Sequence, residues 1–108
     1  MQRGDLITVA LQGDAGKPRP ALVIQTDHFA NLPTLIVLPL TSTILDLPLV
    51  RVTVEPDQGT GLRQRSQVMI SRPQFLPRHR AGPVIGCLDA AALLEVTRRL
   101  AVLLGIAT

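Results

Sequence analysis

The stretch Leu49-Val50-Arg51-Val52-Thr53-Val54-Glu55 sets Val50, Val52 and Val54 against Arg51, Thr53 and Glu55. A period of two sends successive side chains to opposite faces of an extended chain, so it predicts a strand with one face on a core and one in water. Upstream, three apolar runs with β-branched residues at 6–11, 21–25 and 34–38 predict further short strands. The first two are separated by a segment holding Gly13, Gly16, Pro18 and Pro20, which can support neither ladder nor helix. Downstream, the turn Asp57-Gln58-Gly59-Thr60-Gly61 leads to a strand at 66–70, an Arg- and Pro-containing loop at 73–82, and a last strand at Val84-Ile85-Gly86. The end changes character. Asp89 can cap a helix whose apolar positions Leu93, Val96, Leu100, Leu103 and Leu104 follow helical spacing, with Gly105 to stop it. The expected fold is mainly β with α: five or six short strands in a small, strongly bent barrel, plus one C-terminal helix.

The 108 residues are 46% hydrophobic and 18% charged, which fits a single folded domain over 1–108 and argues against a disordered chain. Aromatics make up 2%, two Phe with no Trp or Tyr, so the core must be aliphatic and a base-stacking aromatic platform is excluded. Ten of the eleven cations are Arg, Lys17 being the exception. Residues 58–88 hold Arg63, Arg65, Arg72, Arg78 and Arg80 without any Asp or Glu, so this third of the chain carries +5 against −2 for the remainder. A guanidinium matches a phosphate with two parallel donors, so the run suits a polyanion; the bland alternative is a solvated, Arg-biased surface.

Common chemical signatures fail on spacing. Gly13-Asp14-Ala15-Gly16-Lys17-Pro18 lacks the Ser or Thr of a phosphate-binding loop, and Gly59-Thr60-Gly61-Leu62-Arg63-Gln64 lacks the third Gly of a dinucleotide turn. Cys87 is the sole cysteine and His28 and His79 lie far apart in sequence, so neither a disulfide nor a structural metal site is expected. Arg98 and Arg99 in the second half of the helix suit its dipole and are read as structural. Without a signal-like start or a spanning apolar segment, a cytoplasmic protein with no membrane partner is expected.

Three segments taken together are specific: Arg3-Gly4-Asp5-Leu6-Ile7, Lys17-Pro18-Arg19-Pro20-Ala21-Leu22-Val23-Ile24-Gln25, and Leu38-Pro39-Leu40-Thr41-Ser42. Their order and spacing resemble the MazF/PemK family of toxin endoribonucleases. Gly61-Leu62, Ser66-Gln67-Val68, Ile85-Gly86-Cys87-Leu88 and the ending Leu104-Gly105-Ile106 extend the resemblance over essentially the whole chain. It implies an SH3-like barrel of five to seven strands and a homodimer. It also implies cleavage of single-stranded RNA at short motifs without metal or cofactor, and a cognate antitoxin, which we expect to be an acidic protein. The family's catalytic Arg and Thr fall on Arg19 and Thr41. Ser42 is the neighbour of second choice, and Asp14, Lys17, Arg63, Arg65, Arg72, Arg78 and Arg80 are the expected RNA-binding residues.

The chemistry suits these residue types, because RNA supplies its own 2′-hydroxyl nucleophile and the protein need only orient it and stabilise the growing charge. Arg19 is read as an electrostatic stabiliser or proton donor, since a guanidinium is a poor proton acceptor. The base stays open; His28 and His79 are candidates by residue type alone. Base readout is expected in the loops at 12–18 and 44–47, which differ most between relatives. Departures exist: many relatives carry Trp or Tyr where this chain has Leu6 and Ile7, and some carry Asp at the position of Ser71. Two alternatives stand beside the enzyme. One is a gyrase-poisoning toxin of the same fold, whose Trp-Gly-Ile end is Leu104-Gly105-Ile106 here. The other is a catalytically inactive RNA-binding barrel.

Overall fold

The computed structural model describes residues 1–10 and 17–108. Its elements are β1 (Asp5–Val9), β2 (Arg19–Val23), β3 (Thr34–Thr41), β4 (Arg51–Val54), β5 (Ser66–Met69), β6 (Gln74–Pro77), β7 (Val84–Cys87) and the helix α1 (Ala90–Leu103). All strand pairs are antiparallel, in the order β4-β5-β3-β2-β1-β7. The long β3 keeps β2 on one edge and changes partner on the other, pairing with β6 from Thr34 to Val37 and with β5 at Leu40 and Thr41. That exchange curls the seven-stranded sheet into a half-barrel with a terminal helix, in keeping with the small bent barrel expected.

Side-chain alternation explains why β1, β2 and β3 read as apolar runs while β4 alternates. Leu6, Leu22, Leu38 and Leu40 point into one cluster with Val52, Val54, Val68, Ile70 and Val96 of α1. Ile7, Val9, Ala21, Val23, Leu35 and Val37 point into a second cluster with Leu76 of β6. The first three strands are thus covered on both faces, and β4 on one. Every large hydrophobic side chain buried among the described residues is aliphatic, as the composition requires, and both phenylalanines, Phe29 and Phe75, are exposed.

The helix is fastened at three points. Asp89 caps it by accepting from the Ala92 amide at 2.8 Å. Gly105, at φ 76°, turns the chain out of the helix, while the Ile106 amide reaches back to the Ala101 carbonyl at 2.8 Å. At the other end of the molecule's sequence, Arg3 donates to the Thr97 hydroxyl at 2.6 Å and to the Ile24 carbonyl at 3.2 Å, tying α1 to the end of β2. Leu103 and Leu104, expected on the apolar face, are instead exposed. Among the described residues no helix is long and apolar enough to cross a membrane.

Two elements differ from the sequence expectation. β3 runs three residues past Leu38, through Pro39, because the prolyl nitrogen lies between the last residue paired to β6 and the first paired to β5, where no donor is needed. The stretch expected to be a loop at 73–82 contains β6, recruited because Leu76 buries beside its partner Leu35. The end of the first predicted strand, Leu11, lies outside the described residues.

Gly86 pairs with Leu6, and a Cβ there would run into the carbonyl oxygens of Thr60 and Gly59, both backbone atoms. Gly86→Ala is expected to destabilise the fold by about 1–3 kcal/mol, the usual cost of overpacking. Chemical denaturation checks it: a wild-type midpoint would contradict this close approach.

Candidate active site

The register of β2 on β3 pairs Ala21 with Pro39, Leu22 with Leu38 and Val23 with Val37. Carried two residues further, it sets Arg19 opposite Thr41, with both side chains on the same face of the sheet. On the other edge of β3, Thr41 pairs with Gln67, which pairs in turn with Thr53. A polar row, Thr53, Gln67, Thr41 and Arg19, therefore crosses four strands. It occupies the positions that alternate with the buried Val54, Val68 and Leu40.

Arg19, Thr41 and Ser42 open onto one cavity of about 80 Å³ together with Arg63, Gln64 and Ser66. Pro20, Leu40 and Leu62 complete its lining. Two guanidiniums meet three hydroxyls here, and among the described residues no carboxylate enters the lining and neither Arg19 nor Arg63 has an acidic partner. The Thr41 Oγ1 accepts from the Thr43 amide at 3.1 Å, which leaves its own O–H to donate outward. Such a group of donors can hold the oxygens of one phosphodiester and stabilise added negative charge.

The +5 segment does not form one continuous track. Arg63 alone of its five arginines lines the cavity. Arg65 pairs with Glu55 at 2.8 Å. Arg72 lies in the turn beyond the end of β5 away from Ser66, its amide bonded to the Met69 carbonyl at 3.2 Å. Arg78 donates to the carbonyls of Leu32 and Phe29 at 2.9 and 3.3 Å, clasping the turn before β3. Arg78, His79 and Arg80 form a 3-10 turn after β6, which pairs with the start of β3, and His28 sits in the 3-10 turn Asp27–Phe29 before it. Thr41 is at the other end, seven residues away or roughly 23 Å at the rise of an extended strand. Both histidines, candidates for the base by residue type, are therefore remote from the cavity. Lys17 is exposed and outside the cavity lining. Asp14 and most of the first readout loop lie outside the described residues. Arg99 pairs with Glu95 at 2.6 Å, in keeping with a structural reading. Among the described residues no three His, Cys, Asp or Glu side chains gather as metal ligands would.

Sequence reading missed Gln67 and Arg51, which hold the loop leaving Thr41. The available signal was a Gln immediately before the apolar run Val68-Met69-Ile70, within the predicted strand.

The model of the PemK-like, MazF-like toxins of type II toxin–antitoxin systems matches residues 2–104. The chain belongs to this toxin family. A probable endoribonuclease MazF of Mycolicibacterium smegmatis is 40% identical over 108 residues, 99% of each chain. Among solved structures, a mycobacterial endoribonuclease in complex with its cognate antitoxin shares the fold, with a TM-score of 0.83 at 19% identity over 100% of this chain and 98% of that one. A MazE–MazF structure from Deinococcus radiodurans matches with a TM-score of 0.79 at 26% identity, over 99% and 97% of the two chains. The resemblance and the fold expected of this MazF-like chain are thus both found.

Arg78→Ala removes two charge-assisted hydrogen bonds at a half-buried site and is expected to cost about 1–2 kcal/mol, less than a fully buried pair would. For a domain of this size that lowers the thermal midpoint by several degrees. An unchanged melting curve would contradict the clasp.

Proposed function

We propose that this MazF-like toxin is an endoribonuclease that cuts single-stranded RNA by attack of the substrate's own 2′-hydroxyl, without a metal ion. The observation that carries this reading is the union of Arg19, Arg63, Thr41 and Ser42 around one cavity, with no carboxylate among the described residues that line it. The bond from O2′ to phosphorus forms as the bond from phosphorus to O5′ breaks. The 2′ proton leaves to water and the departing 5′-oxygen takes a proton. The products are a 2′,3′-cyclic phosphate and a 5′-hydroxyl. Arg19 and Arg63 hold the non-bridging oxygens, on which charge grows, and Thr41 donates its hydroxyl to the same group, with Ser42 beside it. Arg19 stands between Pro18 and Pro20, which restrict the backbone at its position. Lys17 and Asp14 contribute to RNA binding, and the remaining arginines give a general attraction for the polyanion.

The name of the Mycolicibacterium relative supports the activity, and the solved complexes with antitoxins support an inhibitory partner. For this chain that partner is an acidic protein segment that competes with RNA by charge. A homodimer is supported by an uncovered apolar groove of about 360 Å³ between α1 and the loop before β4. Leu49, Val102 and Leu103 line it, and Leu49 is 80% exposed. A soluble nuclease with mRNA as substrate works in the cytoplasm.

Incubation with a long single-stranded RNA in EDTA tests the activity. Discrete fragments are expected from the wild type, with a loss of about 10²–10³-fold for Arg19→Ala and for Thr41→Ala, the usual cost of removing one charge-stabilising donor. Salt-sensitive binding without cleavage would instead indicate an inactive RNA-binding barrel. Sedimentation at micromolar concentration is expected to give the mass of two chains, and Leu49→Asp with Val102→Asp the mass of one; a monomeric wild type would overturn the dimer.

A further inference from the structure

Gln67 lies in β5 at 4% exposure, a buried side chain in the polar row between Thr53 and Thr41. Its Oε1 accepts from the Leu45 amide at 3.1 Å and from Arg51 Nη1 at 3.0 Å. Its Nε2 donates to the Leu45 carbonyl at 3.1 Å and to the Thr53 hydroxyl at 3.2 Å. All the donors and acceptors of the amide are engaged, and the assignment of O and N is fixed by facing one amide donor and one carbonyl of the same residue. The side chain treats Leu45 as a neighbouring strand would. Burying an amide costs free energy that these bonds offset without adding core packing.

The bonds continue towards the cavity. Arg51 Nη1 also donates to the Thr43 carbonyl at 3.2 Å, and the Thr43 amide donates to Thr41 Oγ1 at 3.1 Å. A connected path runs from the Gln67 amide through Arg51 and the Thr43 peptide to the hydroxyl at the cavity. The loop it crosses has little packing of its own: Ile44, Leu45 and Leu47 are each exposed by nearly half. Polar bonds to Gln67 and Arg51 therefore set its shape. Because the Thr43 amide occupies one acceptor position of Thr41, loop shape decides where the Thr41 O–H points.

We propose that Gln67 is a positioning residue, acting through Arg51 and the 42–45 loop to aim the Thr41 hydroxyl at the scissile phosphate. The proposal rests on the reading that Thr41 serves RNA cleavage. Gln67→Leu removes all four bonds at similar volume. Gln67→Glu keeps the acceptor facing Leu45 and Arg51 but loses the donor. Steady-state cleavage of a short RNA bearing the mapped cut site is measured for both, alone and in a Thr41→Ala background.

In the otherwise native chain, Gln67→Leu is expected to lower kcat by about 10²-fold, the scale of a misplacement near 1 Å, with KM close to wild type. Gln67→Glu should recover part of that loss. In Thr41→Ala, Gln67→Leu should cost nothing further. A folded Gln67→Leu protein with wild-type kcat overturns the proposal, as does a full, additive loss in the Thr41→Ala background. Should Gln67→Leu fail to fold, Arg51→Ala cuts the same path from a half-buried position, and the same pair of outcomes decides. Failure of the underlying reading has a different signature: Thr41→Ala itself cleaving at the wild-type rate.

Discussion

The antiparallel register of β2 against β3 is the constraint on which the site depends. It is fixed by burial on both faces: Leu22 and Leu38 must enter one cluster while Val23 and Val37 enter the other. A slip of one residue would exchange the two sets and turn Arg19 and Thr41 to opposite faces. The aliphatic core thus does more than stabilise. It carries a charge and a hydroxyl, 22 positions apart in the chain, to facing positions beyond the last buried pair, where the sheet opens to solvent.

The partner exchange along β3 explains the rest of the architecture. Pairing its first half with β6 and its second with β5 bends the sheet and leaves Pro39 where its missing amide proton is harmless. The same exchange separates the two ends of the strand. One end holds the cavity; the other holds the turns bearing Arg78, His79, Arg80 and His28. Positive charge that is continuous in sequence is thereby divided between the end that holds the cavity and the end that holds the 3-10 turns, with Arg78 and Arg65 already committed to protein partners. The groups left to stabilise charge at the cavity are Arg19 and Arg63.

Much of this was legible in the sequence. Period-two alternation located β4, apolar runs located β1, β2 and the start of β3, and the cap and stop residues bounded the helix at Asp89 and Gly105. The RPALV segment and the Thr41-Ser42 step pointed to the site through family resemblance, and the strand register brings them together. What local pattern could not supply were facts made by tertiary pairing. β6 reads as a loop because Pro73 precedes it, Pro77 ends it and only Leu76 among its residues is buried. Gln67 reads as one more strand residue, since its importance lies in a loop 22 residues away. The charge run reads as a track because sequence proximity says nothing about which end of a bent strand each arginine reaches.

The central claim is that this cavity uses the 2′-hydroxyl of RNA as nucleophile and stabilises the resulting charge with Arg19 and Thr41. The chemistry of the cut ends tests it most directly. Mass spectrometry of RNA fragments formed in EDTA is predicted to find 2′,3′-cyclic phosphates on the upstream pieces and 5′-hydroxyls on the downstream ones. Fragments ending in 3′-hydroxyl and 5′-phosphate would show that water attacked in place of the 2′-hydroxyl, and would contradict the account.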